Sequence, residues 1–200
     1  LVEEDVLTHN PVVPIEIKKG PPNRPRVVLS ESEITSLLDL LRAHSTNELY
    51  PVFYAEIHTG ARMSEVLWLK WEQVDFNTGM IHFLKTKNGE DRFVRMSEPL
   101  AAFLQAQPRH TDYVFTNWNN EMWTKNQYRK LIVKIKREHA FPKYWNNHVM
   151  RHTFAYHYLR KGGNMYQLKA ILGHRSSQMT VDLYGKITAQ DVDNPSPFTF

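Results

Sequence analysis

Behind Ser30-Glu31-Ser32-Glu33, the apolar residues Ile34, Leu37, Leu38 and Leu41 recur at i, i+3, i+4 and i+7. The four leading residues have the form of a capping box, and the spacing puts one apolar stripe on a helix. The pattern predicts an amphipathic helix starting at Ser30 and a domain boundary there. A second helix is expected over about 50–58, ended by Thr59-Gly60, and a third begins near Arg62. Met80–Leu84 and Arg92–Met96 read as strands, and Asn88-Gly89 between them supplies the positive φ of a tight hairpin turn. Ser97–Gln105 reads as a helix capped by Ser97, with Leu100, Phe103 and Leu104 facing inward. Further helices are expected at about 124–138, 147–160, 164–172 and 177–186, with Gly162-Gly163 and Gly173 as stops between them. The fold class is mainly α with a small antiparallel β-sheet, an α+β domain.

The flanks lack this periodicity. Pro11, Pro14, Pro21, Pro22 and Pro25 disfavour regular structure over residues 1–29, while Lys18, Lys19, Arg24 and Arg26 make that stretch positive. A solvated linker and a DNA-contacting strap both fit it. The stretch from Gly185 to Phe200 is polar and broken by Pro195 and Pro197, yet carries Ile187, Val192, Phe198 and Phe200. A disordered end and a segment packing on a second protomer are the two readings there. The chain opens on Leu1 rather than Met, which points to a piece of a longer protein.

Composition narrows the class only a little. At 42% hydrophobic and 23% charged, the 200 residues suit a soluble globular domain. No apolar run reaches the length of a membrane span, and no signal peptide is evident. With no cysteine, disulfides, thiolate zinc sites and cysteine nucleophiles are excluded. Lys and Arg exceed Asp and Glu by 25 to 21, which permits a polyanionic partner without establishing one. Position says more. Lys125, Arg129, Lys130, Lys134, Lys136 and Arg137 share one predicted helix with no acid among them, around a stripe of Tyr128, Leu131, Ile132 and Ile135. A solvated face and a phosphate-binding face both fit.

Three local sequences gather residues able to do chemistry: Thr59-Gly60-Ala61-Arg62-Met63-Ser64-Glu65, then His148-Val149-Met150-Arg151-His152, then Leu172-Gly173-His174 with Tyr184 ten residues on. His148 and Arg151, three apart, share a face if both are helical. Two arginine forks can hold a phosphodiester and neutralise the added charge of a pentacoordinate transition state. Histidine moves protons near neutral pH, and a tyrosine, with a pKa of about 10, needs a base or a strongly positive surrounding to attack. Each residue also has a plainer reading. Arg62 and Glu65 could be a surface ion pair, and Tyr184 is one of nine tyrosines. His148 and His152 stand four apart, but without the Glu of a His-Glu-x-x-His motif or a third ligand they make a poor zinc site.

Taken in order, these boxes resemble the catalytic signature of the tyrosine recombinases, the phage integrase family. The resemblance covers residues from about 30 to 186. It identifies Arg62, Lys87, His148, Arg151, His174 and Tyr184 as catalytic, with Glu65 supporting the site. The lysine falls in a segment of the form Lys-x-x-x-x-Arg-x-Val, which matches best at Lys87; Lys85 is the rival, two residues away. The resemblance implies a linker (1–29) from a preceding DNA-binding domain, a catalytic domain (30–186) and a C-terminal tail (187–200). It implies that Arg62 and Arg151 clamp the scissile phosphate with a hydrogen bond from His174. Tyr184 attacks to give a 3′-phosphotyrosyl link, Lys87 protonates the leaving 5′-oxygen, and His148 accepts or orients a proton. No cofactor and no metal are expected. The implied partners are double-stranded DNA, further copies in a synaptic tetramer and accessory DNA-bending proteins, in the cytoplasm of a bacterial or phage-infected cell and not at a membrane. A type IB topoisomerase and a non-catalytic DNA-binding relative are the alternatives.

Overall fold

The computed structural model describes residues 27–44, 48–84, 91–139, 141 and 148–174. Among them the chain forms α1 (Glu31–Ala43), α2 (Leu49–Thr59), α3 (Met63–Leu67), a 3₁₀ turn (Trp71–Gln73), β1 (Val74–Asp75), β2 (Met80–Phe83), β3 (Arg92–Arg95), α4 (Glu98–Gln105), α5 (Lys125–Glu138), α6 (Val149–Arg160) and α7 (Met165–Leu172). The chain is mainly helical with a small antiparallel sheet, as the periodicity predicts. The Asn88-Gly89 turn, the helix expected over 177–186, most of the segment before α1 and the tail lie outside the described residues.

Local chemistry accounts for how α1 begins. Ser30 Oγ accepts the Glu33 backbone N–H at 3.3 Å, and Glu33 Oε2 accepts that of Ser30 at 2.8 Å. Two donors that a helix start leaves open are thereby satisfied, a feature worth about 1 kcal/mol. Just upstream, Leu29 is buried; its N–H donates to Thr153 Oγ1 at 3.1 Å, and its carbonyl lies 2.8 Å from His157 Nε2, both on α6.

Apolar on nearly every side, α2 runs through the middle of the molecule, burying Leu49, Val52, Phe53 and Ala55, with α6 packed along it. A second, smaller cluster of Ala155, Leu159, Leu168 and Leu172 fastens α7 to α6. Tyr128, Ile132 and Ile135 bury the inner face of α5, so its six basic residues are all exposed. The sheet order is β1-β2-β3, with Ile81 opposite Val94 and Phe83 opposite Arg92. Ile81, Phe83 and Val94 point into the core, and Arg92 shares their buried face.

Three local expectations need correction. The strand β1 was not foreseen, because two residues give no alternation to read. Ser97 occupies the N-cap position of α4 without capping through its side chain; its Oγ lies 3.0 Å from His58 Nδ1. Helix α6 begins at Val149, so His148 is its N-cap residue rather than part of its first turn.

Candidate active site

The first arginine owes its place to a glycine. At the end of α2, Gly60 takes the left-handed conformation (φ 61°) and donates its N–H to the Glu56 carbonyl at 2.9 Å. A Cβ there would stand 2.3 Å from the Phe154 ring of α6, so the residue must also be small. The chain then turns extended at Arg62, the N-cap of α3. That same close approach brings in the second arginine: Arg151, in the first turn of α6, donates from Nη1 to the Gly60 carbonyl at 2.9 Å.

The end of α7 is the other half of the site. Asn164 caps its start through hydrogen bonds to the N–H groups of Tyr166 and Gln167, and Gly173 stops it in the left-handed conformation (φ 64°). A helix end leaves its last carbonyls without intrahelical donors and carries partial negative charge. Here successive carbonyls take guanidinium donors from three different elements. Arg92 Nε reaches Ile171 O at 2.6 Å, Arg151 Nη2 reaches Leu172 O at 2.6 Å, and Arg62 Nη2 reaches Gly173 O at a longer 3.4 Å. His174 follows at once and is buried.

One carboxylate ties the group together. Glu65, on α3, accepts the Arg62 backbone N–H at 2.7 Å and Arg62 Nη1 at 2.8 Å. It also takes Arg92 as a fork, Nη1 to Oε1 at 3.1 Å and Nη2 to Oε2 at 2.7 Å. Burial opposes the charge on Glu65, but hydrogen bonds and charge from Arg92, then from Arg62, outweigh it and hold its carboxyl below the ordinary range. Arg62 and Glu65 are therefore more than the surface pair that their spacing allows. Three guanidinium groups against one carboxylate leave the cluster with two excess positive charges.

Burial first, then the charges of Arg151, Arg62, His152 and Arg92, push the His174 pKa down to about 4. At neutral pH this imidazole is uncharged, with one N–H to donate and one nitrogen to accept. His148 sits exposed at the α6 N-cap, its ring centroid 6.0 Å from that of His152. His148 is exposed, whereas Arg151, in the first turn of the same helix, is buried.

A groove of about 890 Å³ opens beside Arg62 and Glu65. Trp68, Phe83, Tyr113 and Met122 line it, together with the cations Lys70 and Lys125. Lys125 Nζ lies 4.9 Å from the centre of the Trp68 ring, and Lys70 Nζ 5.8 Å from that of Tyr113. Of the six basic residues singled out on α5, Lys125 lines this groove. Arg129, Lys130, Lys134, Lys136 and Arg137 stand elsewhere on exposed faces, with Arg137 paired to Glu138 at 2.9 Å.

The structure thus assembles Arg62, Glu65, Arg151 and His174, whereas Lys87, its rival Lys85, and Tyr184 lie outside the described residues. Arg92 was missed as a member of the cluster. Its signal was present: strand alternation puts it on the same face as Val94, and an arginine on an inward strand position needs a partner. Lys70 was missed too, and no local pattern marks it.

A helical domain that collects guanidinium groups and a neutral imidazole at one helix end has donors and positive charge of the kind a phosphodiester pairs with. The sequence matches the phage integrase family over residues 27–191, and the chain belongs to that family. Among curated proteins it is similar to tyrosine recombinase XerD of Listeria monocytogenes serotype 4b (strain F2365), 25% identical over 207 residues, which cover 94% of this chain and 67% of that one. The chain thus spans about two thirds of that relative's length. Among solved structures it is similar to the catalytic domain of bacteriophage HP1 integrase, with TM-score 0.63 and 32% identity over 78% of this chain and 86% of that one. It also shares the fold of the Tn1549 transposon integrase in complex with a circular intermediate DNA, with TM-score 0.72 and 22% identity over 95% of this chain and 71% of that one.

Proposed function

We propose that this chain is the catalytic portion of a site-specific DNA recombinase that cuts and rejoins duplex strands through a 3′-phosphotyrosyl link at Tyr184. The observation that carries this reading is the meeting of Arg62, Arg151 and His174, from three separate stretches of sequence, at the end of α7. Arg62 and Arg151 hold the scissile phosphate, and the excess positive charge stabilises the transition state. The same charge lowers the cost of forming a tyrosinate. His174, neutral at pH 7, donates a hydrogen bond to a phosphate oxygen. Lys87 protonates the leaving 5′-oxygen, and His148, exposed at its helix start, accepts or orients a proton. The link conserves the phosphodiester energy, so rejoining requires no nucleotide and no metal.

The duplex runs along the groove past Lys70 and Lys125, with the charged faces of α5 meeting its backbone. Copies of the protein pair into a synaptic tetramer on DNA, helped by accessory DNA-bending proteins, in the cytoplasm of a bacterial or phage-infected cell. Among the described residues no helix is long and apolar enough to cross a membrane.

The test is a nicked duplex from which the cut end diffuses away, so that a covalent adduct accumulates. Wild-type chain should form it and Tyr184→Phe should not, while duplex affinity, which rests on many basic contacts, changes less than about threefold. An adduct that persists in Tyr184→Phe moves the nucleophile elsewhere. Supercoil relaxation without exchange between two sites would favour topoisomerase-like resealing.

A further inference from the structure

We infer that Arg92 is a positioning residue for strand cleavage, holding Arg62 and the α7 end that presents His174 in one fixed geometry. The inference rests on the recombinase reading. Arg92 is 6% exposed and lies between the two halves of the site. On one side its fork grips both oxygens of Glu65, the carboxylate that also takes the main-chain N–H and Nη1 of Arg62. On the other side its Nε grips Ile171 O at 2.6 Å, three residues before His174.

The surroundings leave this side chain little freedom. Its guanidinium stacks over Phe83 of the neighbouring strand, 4.6 Å from the ring centre. The end of α7 lies against its aliphatic stem, where a Cβ on Gly173 would stand 3.1 Å from Arg92 Cδ. Arg92 is also the first residue of β3, five positions after Lys87 in sequence. One buried group therefore joins the strand leaving the lysine segment, the helix start that carries Arg62 and the helix end that precedes His174.

The chemistry requires an arginine. Three donors are used in two directions in one plane, which a guanidinium provides and a lysine ammonium does not. Removing the cation would leave Glu65 buried beside Arg62 alone, free to draw Arg62 into a tighter pair and away from substrate. A displacement of about 1 Å in such a cluster can cost about a hundredfold in rate.

Arg92→Lys and Glu65→Gln test this on the full chain with the nicked duplex at saturating concentration. Cleavage there is irreversible, so the adduct's amplitude reports the folded fraction and its rate constant reports geometry. Arg92→Lys should lower the rate constant about a hundredfold with the amplitude unchanged, and duplex affinity should move less than about threefold. Glu65→Gln should slow cleavage comparably, and the double variant should be slowed by clearly less than the product of the two single losses, because the Arg92–Glu65 fork is common to both. If Arg92→Lys fails to fold, Arg92→Gln, which keeps an amide donor facing Glu65, takes its place, and its rate constant, read on whatever fraction forms adduct, must still fall about a hundredfold. A normal rate constant with reduced amplitude, or strictly additive losses, would make Arg92 a structural anchor only and overturn the inference. A wild-type chain that forms no adduct overturns the recombinase reading, and the inference with it.

Discussion

His174 combines a demanding position with a simple titration. Its folded pKa of about 4 lies below the ordinary histidine value near 6.5, so between those limits the unfolded chain binds the extra proton. Stability must therefore rise with pH across that window and fall as the pH drops from 6.5 toward 4, by at most about 1.4 kcal/mol per unit from this one group. Urea titrations of wild type and His174→Asn at pH 7, 6 and 5 should show the wild type losing more stability on acidification. Parallel losses in the two proteins would mean that His174 does not titrate in that range. Single residues also set what could be read in advance. Arg62, Arg151 and His174 were singled out because their boxes, taken in order, resemble the catalytic signature of the tyrosine recombinases, not because any one of them stands out alone. Arg92 is the arginine of the Lys-x-x-x-x-Arg-x-Val segment, but that match marks only the lysine as catalytic, and the fold is what brings Glu65 opposite it. Main-chain acceptors such as Ile171 O carry no side-chain signature, so no reading of residue types could have found them.

At the level of elements, what was legible was whatever repeats. The stripes of α1 and α5 span two turns or more and were found almost to the residue, whereas β1, two residues long, left no pattern. The junction of α2 with α6 depends instead on close approach. Gly60 is both left-handed and pressed against Phe154, and its carbonyl holds Arg151. Gly60→Ala must therefore strain the backbone and push the two helices apart. The expected cost is about 2–4 kcal/mol, seen as a lowered urea midpoint, with catalysis suffering even where the protein is folded. A variant of wild-type stability and wild-type cleavage rate would show that α6 yields more readily than this packing implies.

For the molecule as a whole, two of the regions that carry positive charge among the described residues bear on DNA: the groove beside Arg62, with Lys70 and Lys125, and the outer faces of α5. Both are expected to meet backbone phosphates, and salt dependence tells them apart. Replacing Lys70 and Lys125 by Ala should reduce the slope of log K against log salt by about 2, since each neutralised phosphate is worth about 0.9. Neutralising Lys130, Lys134 and Arg137 together should reduce it by about 2–3 for any duplex sequence. A slope that stays the same in the second set would assign the α5 faces to water and leave the groove as the DNA track.

The carbonyls at the end of α7 have a further consequence, for heredity. A side-chain ligand can be lost to one base change, but no codon encodes the absence of a carbonyl. Ile171 and Leu172 can be exchanged for other residues, with whatever packing cost follows, and the acceptors that receive Arg92 and Arg151 are still there. Only a change that moves the helix end, such as one at Gly173, can take them away. The docking point for the arginines is thus shielded from most mutation, and variation among descendants of this gene can accumulate around it without dismantling it.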